Sequence, residues 1–433
     1  MKKSVWTENV DLPEFESLSG DAKTDVLIIG GGLCGIMCAY YLEQAGVDYI
    51  LVEGNKIASG ITKNTTAKIT SQHGLIYAKL LKSGGKEKAQ MYLRANQKAL
   101  AEYEKLCQNI DCDFEKKDAY TYSMTDRGKI EEEVRAVNSL GFNADFVQIT
   151  QLPFEIKGAI RFKNQAQFNP LKFIAGIAEG LKIYEDTFVR ELTPTEVITN
   201  KGRIRAKKII AATHFPFLNK HGSYFVKLYQ HRSYVSAFDI APNLNGMYVD
   251  EDKKGMSFRN YKNLLLIGGS GHRTGKQSGA WEDLSGFARE YYPEARLQYQ
   301  WAAQDCMSLD GVPYIGQYSK NTPEMYVASG FNKWGITSSV VAAIILSDMV
   351  QEKKNDFAEV FSPQRSMLKP QLVANGFEST LNLLTPTTKR CPHMGCALKW
   401  NKAEHTWDCP CHGSRFESDG TLIDNPSMGD ANL

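Results

Sequence analysis

Apolar residues change their spacing along this 433-residue chain in a way that separates strands from helices. Asp25–Ile29 is a short apolar run, the form of a buried strand. Leu33–Ala45 has helical spacing, and Asp48–Val52 is apolar again before Glu53. With the tight turn Gly30–Gly35 between them, these segments predict a βαβ unit over 24–53. A Thr-, Ser- and Gly-rich loop follows over Ser59–Gly74. Lys86–Cys107 then has helical periodicity, with Met91, Leu93, Leu100 and Tyr103 roughly on one side. Phe188–Ala212 reads as strand, hairpin, strand, and Val226–Phe238 and Leu264–Ile267 as further strands. Met325–Ser329 leads through Gly330 into an apolar helix over Ile336–Val350. The charged Gln351–Asp356 and the proline-containing stretch to Pro370 predict a linker.

Length and charge narrow the class. The chain is longer than one domain normally holds, so two or three domains are expected. It is 42% hydrophobic and 23% charged with net charge +2 and no block of like charges, which argues against nucleic acid or an anionic membrane as main partner. The N-terminus has two lysines but no apolar run behind them, and no stretch is long and apolar enough to span a bilayer. A cytoplasmic location is the expectation. Of nine cysteines, Cys391, Cys396, Cys409 and Cys411 fall within 21 residues, which in a cytoplasmic chain suggests a metal or redox site before a disulfide framework.

Gly30, Gly32 and Gly35 form G-x-G-x-x-G between a strand and a helix. Gly30 permits the turn, Gly32 lets backbone approach a pyrophosphate at the helix N-terminus, and Gly35 lets helix and strand pack closely. Glu53 ends the second strand 18 residues after Gly35, where a carboxylate accepts ribose hydroxyls and disfavours a 2′-phosphate. Gly268–Gly271 also follows a strand, but no helical pattern follows it, so no NAD(P)H site is inferred. Three further segments matter: Phe188–Arg190 with Ile209–Thr213, Trp301–Gly316, and Tyr326–Thr337. Together they resemble the D-amino-acid oxidase/glycine oxidase family of FAD-dependent oxidoreductases over roughly residues 22–352.

That resemblance implies an α/β, two-dinucleotide-fold (Rossmann-like) FAD domain interleaved with an α+β substrate domain. It implies FAD contacts from Gly30, Gly32, Gly35, Glu53, Thr65, Thr66, Val189, Gly330, Gly335, Ile336 and Thr337. A helix N-terminus at Gly335–Thr337 would stabilise the negative charge of reduced flavin. The chain departs from the family at His214, where a glycine is usual. It departs again at Asp305, where glycine oxidases place an arginine for the substrate carboxylate. An acid there repels a carboxylate and favours an ammonium group. Arg232, Arg259 and Arg273 are basic residues available to replace that arginine, with His272 and Tyr234 near in sequence. Asp305, Lys68, Arg259 and His272 are the catalytic candidates, Lys68 as a residue that tunes oxygen reactivity. Cys306 reads as a buried thiol and His73 as a packed residue before either reads as a covalent flavin tether.

Near the end, Cys391-Pro-His393 and Cys409-Pro-Cys411-His412 each supply one Cys and one His. Two thiolates suit a buried ferric iron and two neutral imidazoles an outer one, whereas C-x-H spacing fits structural zinc poorly. This pattern resembles the Rieske family over about residues 375–433. It implies a small all-β domain holding a 2Fe–2S cluster through Cys391, His393, Cys409 and His412. The resemblance to the cytochrome-bc type further implies a disulfide between Cys396 and Cys411. It also implies that Ser414 donates to a bridging sulfide, and that Phe416 stands where high-potential relatives carry a tyrosine donor.

The expected organisation is an oxidoreductase over 1–352, a linker over 353–372 and the Rieske domain over 373–433. Within the first, FAD-binding segments fall at about 22–80, 150–215 and 300–352, and substrate-domain segments at about 81–149 and 216–299. The expected function is oxidation of a small organic, amine-type substrate by FAD. Electrons then pass singly through the cluster to an acceptor protein docking at exposed edges of His393 and His412. Two other readings stand beside it: a flavin oxidase using O2 with a structural Rieske domain, and a redox-sensing or electron-delivery protein with no small substrate of its own.

Overall fold

The computed structural model describes residues 3–193, 195–217, 221–252 and 255–433. Three sheets organise them. At the centre of the eight-stranded first sheet, Ala22–Ile29 runs parallel to Tyr49–Val52 on one side and Arg203–Ala211 on the other. Thr322–Ser329 continues the parallel order beyond Arg203–Ala211. The strand cores are uniformly apolar because helices cover the sheet.

Leu33–Gln44 follows the central strand and Gly335–Val350 follows Thr322–Ser329; the two helices pack on each other. Each starts at the carboxyl end of its strand, so both N-termini point to the same edge of the sheet, the usual place for a ligand in such folds. Two glycines make the first turn possible. Gly30 has φ 111°, and a Cβ on Gly35 would lie 1.8 Å from the Gly30 carbonyl oxygen. Gly268–Gly271 lies inside the strand Leu264–Arg273.

The nine-stranded second sheet runs Arg296–Ser308, Leu228–Asp239, Leu264–Arg273, Ser257–Tyr261, Met247–Asp250, Glu115–Ser123, Gly158–Gln167 and Lys68–Ile69, with Asp145–Val147 at its side. Gly158–Gln167 and most of Arg296–Ser308 fall in segments assigned on sequence to the FAD part, yet they pair in this second sheet. The long helix Ile76–Leu106 is kinked at Gly85, where φ is 78°.

Four short strands from Lys399 to Asp424 form the third sheet, preceded by the helix Pro370–Leu384. The segment expected as a linker is held down. Arg365 grips Asp310 with two bonds of 2.8 Å, and Ala358–Phe361 is a helical turn with Val360 and Phe361 buried.

The C-terminal sheet docks on the second sheet through a buried ionic network. Arg232 makes a two-bond contact to Glu404, with Nε at 2.8 Å from Oε1. Arg415 reaches the same carboxylate at 2.8 Å, Asp408 at 3.1 Å and Asp424 at 3.1 Å. Gln304 Nε2 donates to the Gly413 carbonyl at 2.8 Å and Gln277 Nε2 to that of Trp400 at 2.6 Å.

Burial by itself would raise the Glu404 carboxyl, but Arg232 and Arg415 hold it down to about 2. Its contribution is therefore present above the ordinary glutamate value and is lost as pH falls from there towards 2. Glu404→Gln is expected to destabilise the docked C-terminal domain by about 3–5 kcal/mol, because it leaves a buried arginine unpaired. Guanidinium unfolding followed by tryptophan fluorescence checks this; an unchanged midpoint contradicts it.

Candidate active site and metal centre

The convergence of the two helix N-termini opens a cavity of ≈ 630 Å³. Gly30, Gly32, Glu53, Thr65, Thr66, Val189, Gly335 and Ile336 line it. Gly32 caps its helix and has no side chain of its own to bond the free N–H groups. A Cβ there would meet only Thr62 Oγ1, at 3.5 Å, so the position faces open space. The Thr62 hydroxyl itself accepts from Leu33 N at 3.0 Å, a role with no signal in the local pattern. Glu53 closes the turn by accepting from Gly31 N at 2.6 Å and Asn55 N at 2.9 Å.

Three of the expected contact residues do not line the cavity. Gly35 packs on Gly30, and Gly330 (φ 70°) turns the chain against Leu228, Ser308 and Tyr314. Thr337 is buried, its hydroxyl 3.0 Å from His73 Nε2 and 3.1 Å from the Thr70 carbonyl. His73 stacks on Trp334 and bonds Tyr92, a packed residue. Cys306 is buried beside Ser329, and burial pushes its thiol up to about 12.

The catalytic candidates separate sharply. Asp305 and Lys68 line the cavity; Arg259 and His272 do not. Arg259 is buried behind the Thr-rich loop, donating to the carbonyls of Thr66 at 2.8 Å and Ala67 at 2.7 Å. His272 lies 3.1 Å from the Tyr234 hydroxyl and 2.8 Å from the Arg273 carbonyl. Arg232 is spent on Glu404, and Arg273 donates to Pro410 O and Asn375 Oδ1. None of the three arginines considered for a substrate carboxylate lines the cavity.

The charges that remain there are informative. Asp305 has one weak bond, from Ser233 Oγ at 3.4 Å; burial raises its carboxyl, with Lys333 and His214 opposing. Lys333 also lines the cavity, and burial lowers its ammonium. Burial, then the nearby Arg259, bring Lys68 down to about 7. Asp424 and Asn425 of the C-terminal domain complete the wall. No local sequence pattern marks Lys333, Asp424 or Asn425 for this wall, since only tertiary folding brings them here.

Next to this cavity lies the cysteine–histidine cluster. Cys391 and Cys409 are buried and share a thiol hydrogen bond, which with the His393 backbone N–H and the Ser414 hydroxyl lowers the Cys391 thiol while that of Cys409 is raised. The His393 and His412 rings are 5.0 Å apart at 90°. Burial lowers His393 to about 4 and His412 to about 3, so both imidazoles are neutral, as metal ligation requires. Neither ring nitrogen of His412 makes a hydrogen bond of acceptable geometry. Cys396 and Cys411 form a disulfide in the buried core of the domain, which leaves no separate three-thiol metal site with Cys409. Two Cys and two His converging in this way fit a 2Fe–2S cluster.

One expectation is overturned. His412 has no exposed edge: it is 2% exposed and packs against Phe215 and Phe225 of the oxidoreductase part, while His393 is half-buried with Phe215 also in ring contact. Docking through Glu404 covers what an isolated domain would present. His214, the residue before Phe215, lines the cavity and lies 3.1 Å from Gln230, against which Gly413 packs.

Comparison with known proteins fits this architecture. Residues 25–349 match the FAD dependent oxidoreductase family and residues 377–432 the Rieske [2Fe-2S] domain. The chain belongs to the FAD dependent oxidoreductase family, fused to a Rieske domain, and its cofactors are FAD and a 2Fe–2S cluster. It is 34% identical, over 98% of its length and 96% of the relative's, to the putative Rieske 2Fe-2S iron-sulfur protein YhfW of Bacillus subtilis. It is 22% identical to gamma-glutamylputrescine oxidoreductase of Escherichia coli, over 78% and 85% of the two chains. Glycine oxidase from Geobacillus kaustophilus shares the fold, with TM-score 0.67 at 19% identity over 80% of this chain and all (100%) of that one.

Two outcomes are expected. Phe416 is fully buried in the core cluster that holds the four cysteines, so Phe416→Tyr adds a phenol donor there and raises the cluster potential in a redox titration of the full chain. An unchanged or lower potential contradicts this. Lys68 carries charge below about pH 7 and loses it above. A small carboxylate such as benzoate, followed by flavin absorbance, should therefore bind up to about tenfold more tightly at low pH, and Lys68→Met should flatten that dependence.

Proposed function

We propose that this chain oxidises a small amine with FAD and that its electrons leave through the Rieske centre to a separate acceptor. FAD, when bound, supplies a two-electron acceptor, and the cluster a one-electron carrier. In this reading Gly30, Gly32, Glu53, Thr65, Thr66, Val189, Gly335 and Ile336 hold the dinucleotide. Cys391, His393, Cys409 and His412 hold the cluster.

The observation that carries the coupling is the placement of His412. A pair of histidines meant only for an external partner has no reason to be buried against Phe215, one residue from the cavity wall. The substrate class is supported by the charges left free. Asp305 is the least-bonded carboxylate facing the cavity and is placed to take an ammonium group. All three candidate arginines are committed elsewhere.

Anaerobic stopped-flow mixing with a panel of amines tests the coupling. Cluster absorbance is expected to bleach at least as fast as turnover; bleaching slower than turnover sinks the relay and leaves an oxidase with a structural Rieske domain. Asp305→Asn is expected to raise KM for a cationic amine about tenfold, the equivalent of ~1.4 kcal/mol, with a smaller change in kcat.

A further inference from the structure

The helix Pro370–Leu384 is docked the opposite way round from an ordinary amphipathic helix. Its buried side is polar. Asn375 Nδ2 donates to the Val226 carbonyl at 3.0 Å while Oδ1 accepts from Arg273 at 2.9 Å. Asn382, seven residues on and so on the same face, is buried too, and its carbonyl accepts from Ala397 N at 2.9 Å. Glu378 pairs with Lys276 at 3.0 Å. The opposite side carries Val373, Phe377, Leu381 and Leu384, four and three residues apart and therefore on one stripe. Val373 is 74% and Phe377 69% exposed, and Leu381 and Leu384 are exposed as well.

This ridge is continuous with the cluster loop. Arg390 ties the two together, donating to the carbonyls of Leu383 at 3.2 Å, Thr385 at 3.0 Å and Gly395 at 2.7 Å. Met394, next to His393 in the cluster loop, is exposed.

We propose that the ridge seats the protein on the surface of an anionic lipid bilayer, with the cluster loop held against the membrane, through local charge that the whole chain's balance of +2 does not reveal. Charge favours that occupant. Between Arg365, which is paired with Asp310, and Ala403 the chain has five basic residues (Lys369, Lys389, Arg390, Lys399, Lys402) and one acid, Glu378, already paired. A protruding apolar stripe with basic residues around it is the form of an interfacial helix, which partitions by apolar burial plus attraction to anionic headgroups. The size of the ridge disfavours a second copy. Fifteen residues make a helix about 22 Å long, so a stripe about 10 Å wide offers roughly 220 Å². A stable dimer buries about 800 Å² per partner. No helix among the described residues is long and apolar enough to cross a membrane.

The test is cosedimentation of the full chain, with both cofactors bound, with vesicles of phosphatidylglycerol and phosphatidylethanolamine or of phosphatidylcholine alone. Binding to the anionic vesicles, weakened by salt and about tenfold weaker in Phe377→Ser/Leu381→Ser, is the expected result. Flavin and cluster absorbance report that the double variant is folded. The proposal is overturned if the wild-type chain stays in the supernatant with both vesicle types. Equal binding by the double variant overturns it too, as does a concentration-dependent dimer that the double variant dissolves, which assigns the ridge to a second copy.

Discussion

Glu404 sits between two arginines from different parts of the chain, Arg232 of the second sheet and Arg415 of the C-terminal sheet. All three side chains are at most 10% exposed, so each ion depends on the others for the charge and hydrogen bonds it gives up on leaving water. A contact of this kind orients as well as binds, because a planar guanidinium accepts a carboxylate in few geometries. Here it sets the face on which the C-terminal domain lands. That face is the one carrying Cys409–Ser414, and the landing site is beside His214 and Phe215.

The same docking accounts for what the cavity lacks. Arg232 and Arg273, each a plausible carboxylate ligand on the second sheet, are used to hold the C-terminal domain, and Arg259 is used to shape the loop at Thr66–Ala67. Asp305 and Lys333 are left as opposite charges on the cavity wall, with Lys68 close by in a site that weakens its charge. Arg232 and Arg273 serve the docking of the C-terminal domain, and none of the three arginines is left facing the cavity. Recruiting Asp424 and Asn425 into the wall ties cavity shape to the docked state as well.

What could be read in the sequence was local. The turn at Gly30–Gly35 needs its glycines for contacts within one βαβ unit, so strand, helix and Glu53 were all legible from spacing. The C-x-H and C-x-x-H spacing likewise encloses its own site, and Cys396 and Cys411 are 15 residues apart. The docking was not legible, because Arg232 and Glu404 are 172 residues apart and neither position differs from an ordinary surface charge in its local pattern. For that reason His412 reads as a surface residue, while Arg259 and His272 read as active-site candidates because their partners, the Thr66 and Ala67 carbonyls and the Tyr234 hydroxyl, are also distant in sequence. The helix Pro370–Leu384 is a second case in which local pattern does not fix the face. Its apolar spacing alone suggests a buried stripe, and only the bonds of Asn375 and Asn382 show that the helix faces outward.

The relation of the two sites to each other is tested most directly by iron anomalous diffraction from crystals of the full chain with both cofactors bound. Iron peaks are expected beside His393 and His412 with Phe215 in ring contact, Arg232 and Glu404 paired, and the flavin in the cavity that His214 lines. Iron peaks facing solvent, with the C-terminal domain turned away and Glu404 unpaired, would contradict a centre built to exchange electrons within one chain.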